Sequence, residues 1–201
     1  MIELAASFDA QLSDLAPYLI YLIVGAIVFF ETGVLFAFFL PGDSILFSAG
    51  LVAAAHGEVN IVILVSVIFI AAFLGDQVGF VIGRLVGRPY LDKHDSPRMQ
   101  KMIARSERFY EQTGWWAVVA ARFFPWIRTF VPPIAGASKM NYYKFLSANI
   151  LGALLWGVGI TLAGYYAASL PWVKTWSYAI AAFFITASLV SALVNYLRHR
   201  R

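Results

Sequence analysis

Five ionisable side chains interrupt the apolar stretches of this 201-residue chain: Glu31, Asp43, Asp76, Arg122 and Arg128. A charged group at the centre of a bilayer costs about 2.5–3.5 kcal/mol on insertion scales, so it persists where it faces a partner or a water-filled cavity. Three acids and two bases nearly cancel, the balance expected of groups that pair with one another. Both arginines lie in one run, Arg122-Phe-Phe-Pro125-Trp-Ile-Arg128-Thr-Phe-Val-Pro132-Pro133. On an ideal helix that spacing points them in different directions, whereas a break at Pro125 brings both toward one site. Planar guanidiniums never deprotonate and grip phosphate through paired hydrogen bonds, which suits an anionic headgroup. Glu31 and Asp43 offer the complementary chemistry. Desolvation favours the neutral form of a carboxyl and a neighbouring arginine the charged form, so an acid held between the two can load and release a proton. The alternative is a static salt-bridge network that only fastens segments together. Asp76, near one end of its apolar stretch, is an additional polar site open to either reading.

The background against which these charges stand is that of a membrane. Apolar residues make up 61% of the chain and charged ones 13%, against about 45–50% and about 25% in soluble domains. The expected fold is an all-α polytopic membrane protein, one domain over residues 1–201. Cysteine is absent, and His56, His94 and His199 are scattered without metal-ligand spacing. No Walker loop, nicotinamide fingerprint or nucleophile–base pair occurs, so no metal, no cofactor and no enzyme activity are expected. The net charge of +4 is concentrated in two clusters, a pattern that orients a protein in a membrane and does not point to nucleic acid. The first 15 residues carry Glu3, Asp9 and Asp14 and no basic residue, so a cleavable signal peptide is not expected.

The elements follow from run lengths. On either side of Pro41-Gly42-Asp43, the apolar arms 32–40 and 44–55 hold 9 and 12 residues, each short of the ~20 that a spanning helix needs. A re-entrant hairpin over 31–55 is expected, with one or two kinked spans as the alternative. Residues 61–83 are long enough to cross, and Gly75, Gly79, Gly83 and Gly87 share one face that lets a neighbouring backbone approach. Residues 84–113 form a polar loop with an amphipathic surface helix; its 84–111 part holds seven Lys or Arg against four Asp or Glu. A second broken segment, 115–138, carries Pro125 and Pro132 as its breaks, and spans over 145–168 and 177–197 lead to a basic tail, Arg198-His199-Arg200-Arg201.

Placing loop 84–111 in the cytoplasm by the positive-inside rule makes the second hairpin open to that side and returns the basic tail to it. The first hairpin then opens to the other face. Two broken helices inserted from opposite sides form the inverted-repeat plan of many secondary transporters. Paired aromatics at Trp115-Trp116, Tyr142-Tyr143 and Tyr165-Tyr166 mark the interfaces.

These residues resemble the DedA family, also called SNARE-associated or VTT-domain membrane proteins. The resemblance runs through Leu40-Pro-Gly-Asp-Ser44, Ala49-Gly50, Gly75-Asp76-Gln77-Val78-Gly79, Gly83-Arg84, Phe109 and Gly114. It continues in Arg122-Phe-Phe-Pro125 through Arg128, in Thr129-Phe-Val-Pro132, and in Gly136, Met140 and Phe145, and closes on Asn149, Gly152 and Trp156. Trp126 departs from the pattern, in which a small residue is usual. The resemblance implies two facing re-entrant hairpins in a bacterial-type cytoplasmic membrane. It also implies proton-motive-force-dependent envelope maintenance and flipping of undecaprenyl phosphate, with phospholipid scrambling in eukaryotic relatives. The family's essential acids fall on Glu31 and Asp43 and its essential arginines on Arg122 and Arg128.

The function expected is therefore a lipid translocase, moving undecaprenyl phosphate or a related phospholipid with protons as coupling ions. Its partners are anionic lipid, the surrounding membrane lipids and protons, with self-association left open. Two other readings compete: proton-coupled export of small cations, and a non-catalytic scaffold for envelope maintenance.

Overall fold

The computed structural model describes residues 2–33, 42–55, 57–93, 104–105, 107–109 and 111–170, and every regular element among them is helical. Two long helices carry the architecture, labelled α3 (Ile61–Lys93) and α7 (Tyr142–Ala167), both long and apolar enough to cross a bilayer. Each starts at an asparagine. The Asn60 side-chain oxygen accepts from the Val62 and Ile63 amides at 2.8 and 3.3 Å, and Asn141 accepts from Tyr143 and Lys144 at 2.9 and 3.2 Å. Those amides have no partner within the first turn, so the caps fix where each helix begins. The two helices run antiparallel: Phe80 stacks on Phe145, and Gly157 lies beside Ile68.

The remaining helices form two arms entering from opposite ends of this pair. In the first, α1 (Ile2–Gly33) runs alongside the start of α3, with the Tyr21 hydroxyl at the Asn60 amide (2.7 Å) and Gly33 against Gly75. Helix α2 (Gly42–Ala55) then returns along the end of α7, Gly50 lying on the Thr161 carbonyl. In the second arm, α4 (Gly114–Ala121) starts beside α7, where the Trp115 indole donates to the Ser147 hydroxyl at 2.9 Å. After the single turn α5 (Pro125–Arg128), α6 (Val131–Ala137) leads back along α3 to Gly87.

Proline placement explains the second arm. Helix α4 closes in tight turns, Phe123 and Phe124 amides reaching the carbonyls of Ala120 and Ala121 at 3.1 and 3.0 Å. Pro125 then opens α5, and Pro132 lies in the first turn of α6, positions where a missing N–H costs nothing. The interruptions thus sit just ahead of the prolines. The glycine face of α3 receives this arm: a Cβ on Gly83 would collide with the Pro133 carbonyl.

Two apolar cores result. One gathers Val28, Leu46, Leu64, Ile68, Ala72 and Trp156; the other gathers Phe80, Val118, Val131, Ala135 and Phe145. Asp76 lies between Ala72 and Phe80, at the boundary of the two. The outside is apolar as well, with Val62, Ile70, Leu74, Leu85 and Val86 exposed along α3. A charged interior beneath an apolar exterior is the arrangement of a protein solvated by lipid.

Three boundaries differ from the sequence expectation. Glu31 does not interrupt the first apolar block; it lies in the last turn of a continuous α1, because its buried carboxylate has partners there. Helix α3 does not stop at Gly83, since Gly83–Gly87 takes a π-helical turn that carries it on to Lys93. Helix α7 begins at Tyr142, where Asn141 caps it, and not at Phe145. Pro41 and most of arm 32–40, residues 94–103, 106 and 110 of the polar segment 84–113, and the span 177–197 with the basic tail lie outside the described residues.

Candidate functional site

The five ionisable residues converge in two linked clusters where the arms meet the long helices. In the first, Arg122 follows the last residue of α4. Its Nη2 donates to Asp76 Oδ2 at 2.5 Å, to the Asn149 side-chain oxygen, and to the Ala72 carbonyl at 3.2 Å. Asn149 is held in turn by its own amide, which donates to the Phe73 carbonyl at 3.1 Å. Gly152, one turn along α7, makes room for the arginine: a Cβ there would stand 2.6 Å from Arg122 Cδ.

In the second cluster, Arg128 ends α5 and joins the two halves of the first arm. It pairs with Glu31 on α1, and its Nη1 donates to Asp43 Oδ1 on α2 at 2.7 Å. Glu31 also accepts the Gly42 amide at 3.3 Å, and a Cβ on Gly42 would run into its carboxylate. Gly42 is therefore the residue that lets the start of α2 approach Glu31. The Thr129 hydroxyl donates to the Glu31 carbonyl at 3.4 Å, adding a second tie between the arms.

Trp156 stands between the clusters. Its indole N–H donates to Asp43 at 2.6 Å, and its ring lies 4.6 Å from the Arg128 guanidinium carbon and 5.9 Å from that of Arg122. Both distances fall within cation–π range. The π-helical turn Leu154–Val158 contains this tryptophan, and such turns concentrate at functional positions.

Burial separates the members. Glu31, Asp76, Arg122, Arg128, Asn149 and Trp156 are all buried, whereas the Asp43 side chain is 42% exposed. Among the described residues, Glu31 Oε2, Arg122 Nε and Nη1, and Arg128 Nε are buried without a hydrogen-bond partner. A site holding unsatisfied donors and an unsatisfied acceptor retains polar capacity for something else.

A family model described as the VTT domain matches residues 40–166, well over half of the chain and the stretch that contains both arginines, Asp43 and Asp76. Protein DedA of Escherichia coli K12 is 35% identical over 206 residues, covering 100% of this chain and 94% of its own length. The chain belongs to the DedA family of VTT-domain membrane proteins. An uncharacterized membrane protein of Mycobacterium tuberculosis is 43% identical over 174 residues, 86% of this chain and 76% of that protein. One from Mycobacterium leprae is 42% identical over 170 residues, 84% and 75% respectively. No solved structure matches the chain.

Within this DedA-family protein, Arg128 meets Glu31 and Asp43, whereas Arg122 meets Asp76. The two guanidiniums approach one tryptophan but do not share a carboxylate. Asn149 and Trp156 are neutral, so charge alone does not mark them as part of the site. An asparagine and an indole N–H inside an apolar span each need a partner, and that need was the available signal.

Proposed function

We propose that this membrane protein is a translocase for phosphate-bearing lipid, most simply undecaprenyl phosphate or a related phospholipid, and not an enzyme. The observation that carries this reading is the charged layer between two apolar cores, built where arms from opposite ends meet. In this reading α1–α2 and α4–α6 are re-entrant arms of inverted insertion, the first opening to the outer face and the second to the cytoplasm. The headgroup passes through the charged layer while the chain stays in lipid beside the arms. Arg122 and Arg128 contact the phosphate, and their buried, unpartnered N–H groups are donors they would spend on it. Glu31 and Asp43 hold Arg128 when the site is empty; protonating them frees its guanidinium for phosphate and couples transport to protons. The basic 84–111 segment and the C-terminus would lie in the cytoplasm.

Reconstitution in liposomes with labelled undecaprenyl phosphate, with and without a pH gradient, tests this directly. Flux that follows the gradient supports coupled transport, gradient-independent flux supports passive scrambling, and no flux rejects the reading. Arg128→Lys and Arg122→Lys keep the charge but lose the planar fork, so each is expected to insert and to lose most flux. Full activity in both variants would remove the guanidiniums from the mechanism.

One feature favours the export of small cations as a second reading: three carboxylates outnumber two guanidiniums, and Asp43 is open to solvent. Uptake of a cationic dye in place of lipid would select it.

A further inference from the structure

A second cationic region lies at the opposite end of α3 from Asn60. A cleft of about 660 Å³ opens there, lined by Arg84, Arg88, Lys139, Lys144, Glu107 and Glu111 among others. These charges are unequally engaged. Arg88 is committed, donating to Asp92 at 2.9 Å, to Glu107, and to the Ala137 carbonyl at 3.4 Å. Arg84 donates to the Met140 carbonyl at 3.3 Å and has no carboxylate partner among the described residues. Lys139 and Lys144 are exposed, and neither is paired with an acid among the described residues. Among the described residues, Arg84 and the two lysines thus share the cleft with one carboxylate that has no ion pair, Glu111.

The backbone supplies an independent sign. Lys139 has φ 54°, the only positive value among the described residues. It closes α6 in a Schellman turn, with the Met140 amide on the Ala135 carbonyl at 3.0 Å and the Lys139 amide on Gly136 at 3.1 Å. Glycine is the usual occupant of that position because a Cβ is strained there. A lysine held in a strained conformation at the edge of a cationic cleft points to use of its side chain. Tyr142 and Tyr143 line the same cleft, beside the ends of both long helices. Tyrosines at such a place belong to the headgroup layer.

We propose that this cleft binds phosphate, carried on a lipid headgroup or free in solution, through Arg84, Lys139 and Lys144. It is a site separate from the Arg122–Arg128 layer. The proposal goes beyond the transport reading, because it stands on binding and not on flux. The turn that holds Lys139 joins α6 to α7, so an occupied cleft lies against the exit of the second arm.

The test uses the purified full chain in neutral detergent, with dioctanoyl phosphatidic acid, inorganic phosphate and dioctanoyl phosphatidylcholine as probes and thermophoresis as the readout. Phosphatidic acid is expected to bind, and to bind more weakly as salt rises. The double variant Lys139→Gln, Lys144→Gln should weaken it by roughly tenfold or more, as loss of charge-assisted contacts to phosphate requires. Lys139→Gly should unfold at the same temperature as the parent or higher, yet bind phosphatidic acid less well. A lysine retained only for structure or orientation would not give that pairing. Competition by inorganic phosphate identifies the free anion as a ligand, and its failure against bound phosphatidic acid identifies the lipid. Parent-like binding by the double variant, or phosphatidylcholine binding as tightly as phosphatidic acid, overturns the proposal. A protein that binds phosphatidic acid here but moves no lipid refutes the transport reading alone.

Discussion

Arg122 and Arg128 belong to one short segment, carry the same group and are both buried, yet they are held differently. Every acceptor of Arg122 comes from the interior of a long helix: Asp76 and the Ala72 carbonyl on α3, and Asn149 on α7. The acceptors of Arg128 come from the ends of two helices, the last turn of α1 and the first turn of α2. The Asp76 side chain is 5% exposed and that of Asp43 is 42% exposed. The difference teaches that residue type alone does not assign a role. One guanidinium bolts the second arm to the paired long helices, while the other links the tips of two arms through one buried and one half-open carboxylate.

The largest effect is expected at the bolt. Asp76→Ala leaves Arg122 buried with only neutral acceptors, and breaking a buried pair from one side costs about 3–5 kcal/mol. Thermal unfolding in detergent should show a large drop for Asp76→Ala and a small one for Asp43→Ala. Equal drops would break the comparison. Next in size is Gly152→Ala, whose new Cβ would press on Arg122 at 2.6 Å from Cδ and 2.9 Å from Nε. Overpacking of this kind costs about 1–3 kcal/mol. A parent-like unfolding temperature would mean that the arginine has slack, and that the bolt is looser than its contacts indicate.

Much of this arrangement was legible in the residues, for a physical reason. Charge in an apolar run is expensive, so Glu31, Asp43, Asp76, Arg122 and Arg128 announce a polar site from composition alone. Pro125 and Pro132 likewise announce a broken helix, because a proline interior to a helix removes a hydrogen bond. The pairing was not legible. Which acid meets which arginine depends on how far each arm penetrates, and that depth is set by tertiary contacts such as Gly33 on Gly75 and Gly136 on the Phe80 carbonyl. The continuity of α1 was also hidden: Glu31 reads as an interruption by hydropathy, but glutamate is a good helix former and its burial is compensated from another segment. The cleft beside Lys139 was concealed by its own explanation, since basic residues at a membrane boundary are already accounted for by the positive-inside rule.

Trp156 sharpens the comparison at an intermediate level. Trp156→Phe keeps an aromatic face beside Arg128 but removes the indole N–H that donates to Asp43 at 2.6 Å. Hydrogen bonds to charged groups contribute about 1.5–3 kcal/mol, but Asp43 can recruit water in its place, so the expected loss of stability is about 1 kcal/mol. If the protein moves lipid as proposed, the response of flux to a pH gradient should weaken by more than that loss of stability explains, because Asp43 can then leave Arg128 without being protonated. An unchanged response would mean that the ring, and not the hydrogen bond, is what the second cluster requires.

The smallest structural effect and the most discriminating functional one are expected from Asp43→Asn. The substitution is nearly isosteric, the side chain is 42% exposed, and Arg128 keeps its pair with the buried Glu31. No buried charge is stranded, because Glu31 still pairs with Arg128 and the asparagine oxygen can still accept, so the unfolding temperature should barely move. If Asp43 only helps to fasten the arms, liposome flux should barely move either. If it carries the proton that releases Arg128, the variant should lose the response of flux to a pH gradient while still inserting and folding. Flux and unfolding measured on the same preparation therefore separate a hinge that titrates from a clasp that only holds, at the one carboxylate of the five charged residues that solvent can reach.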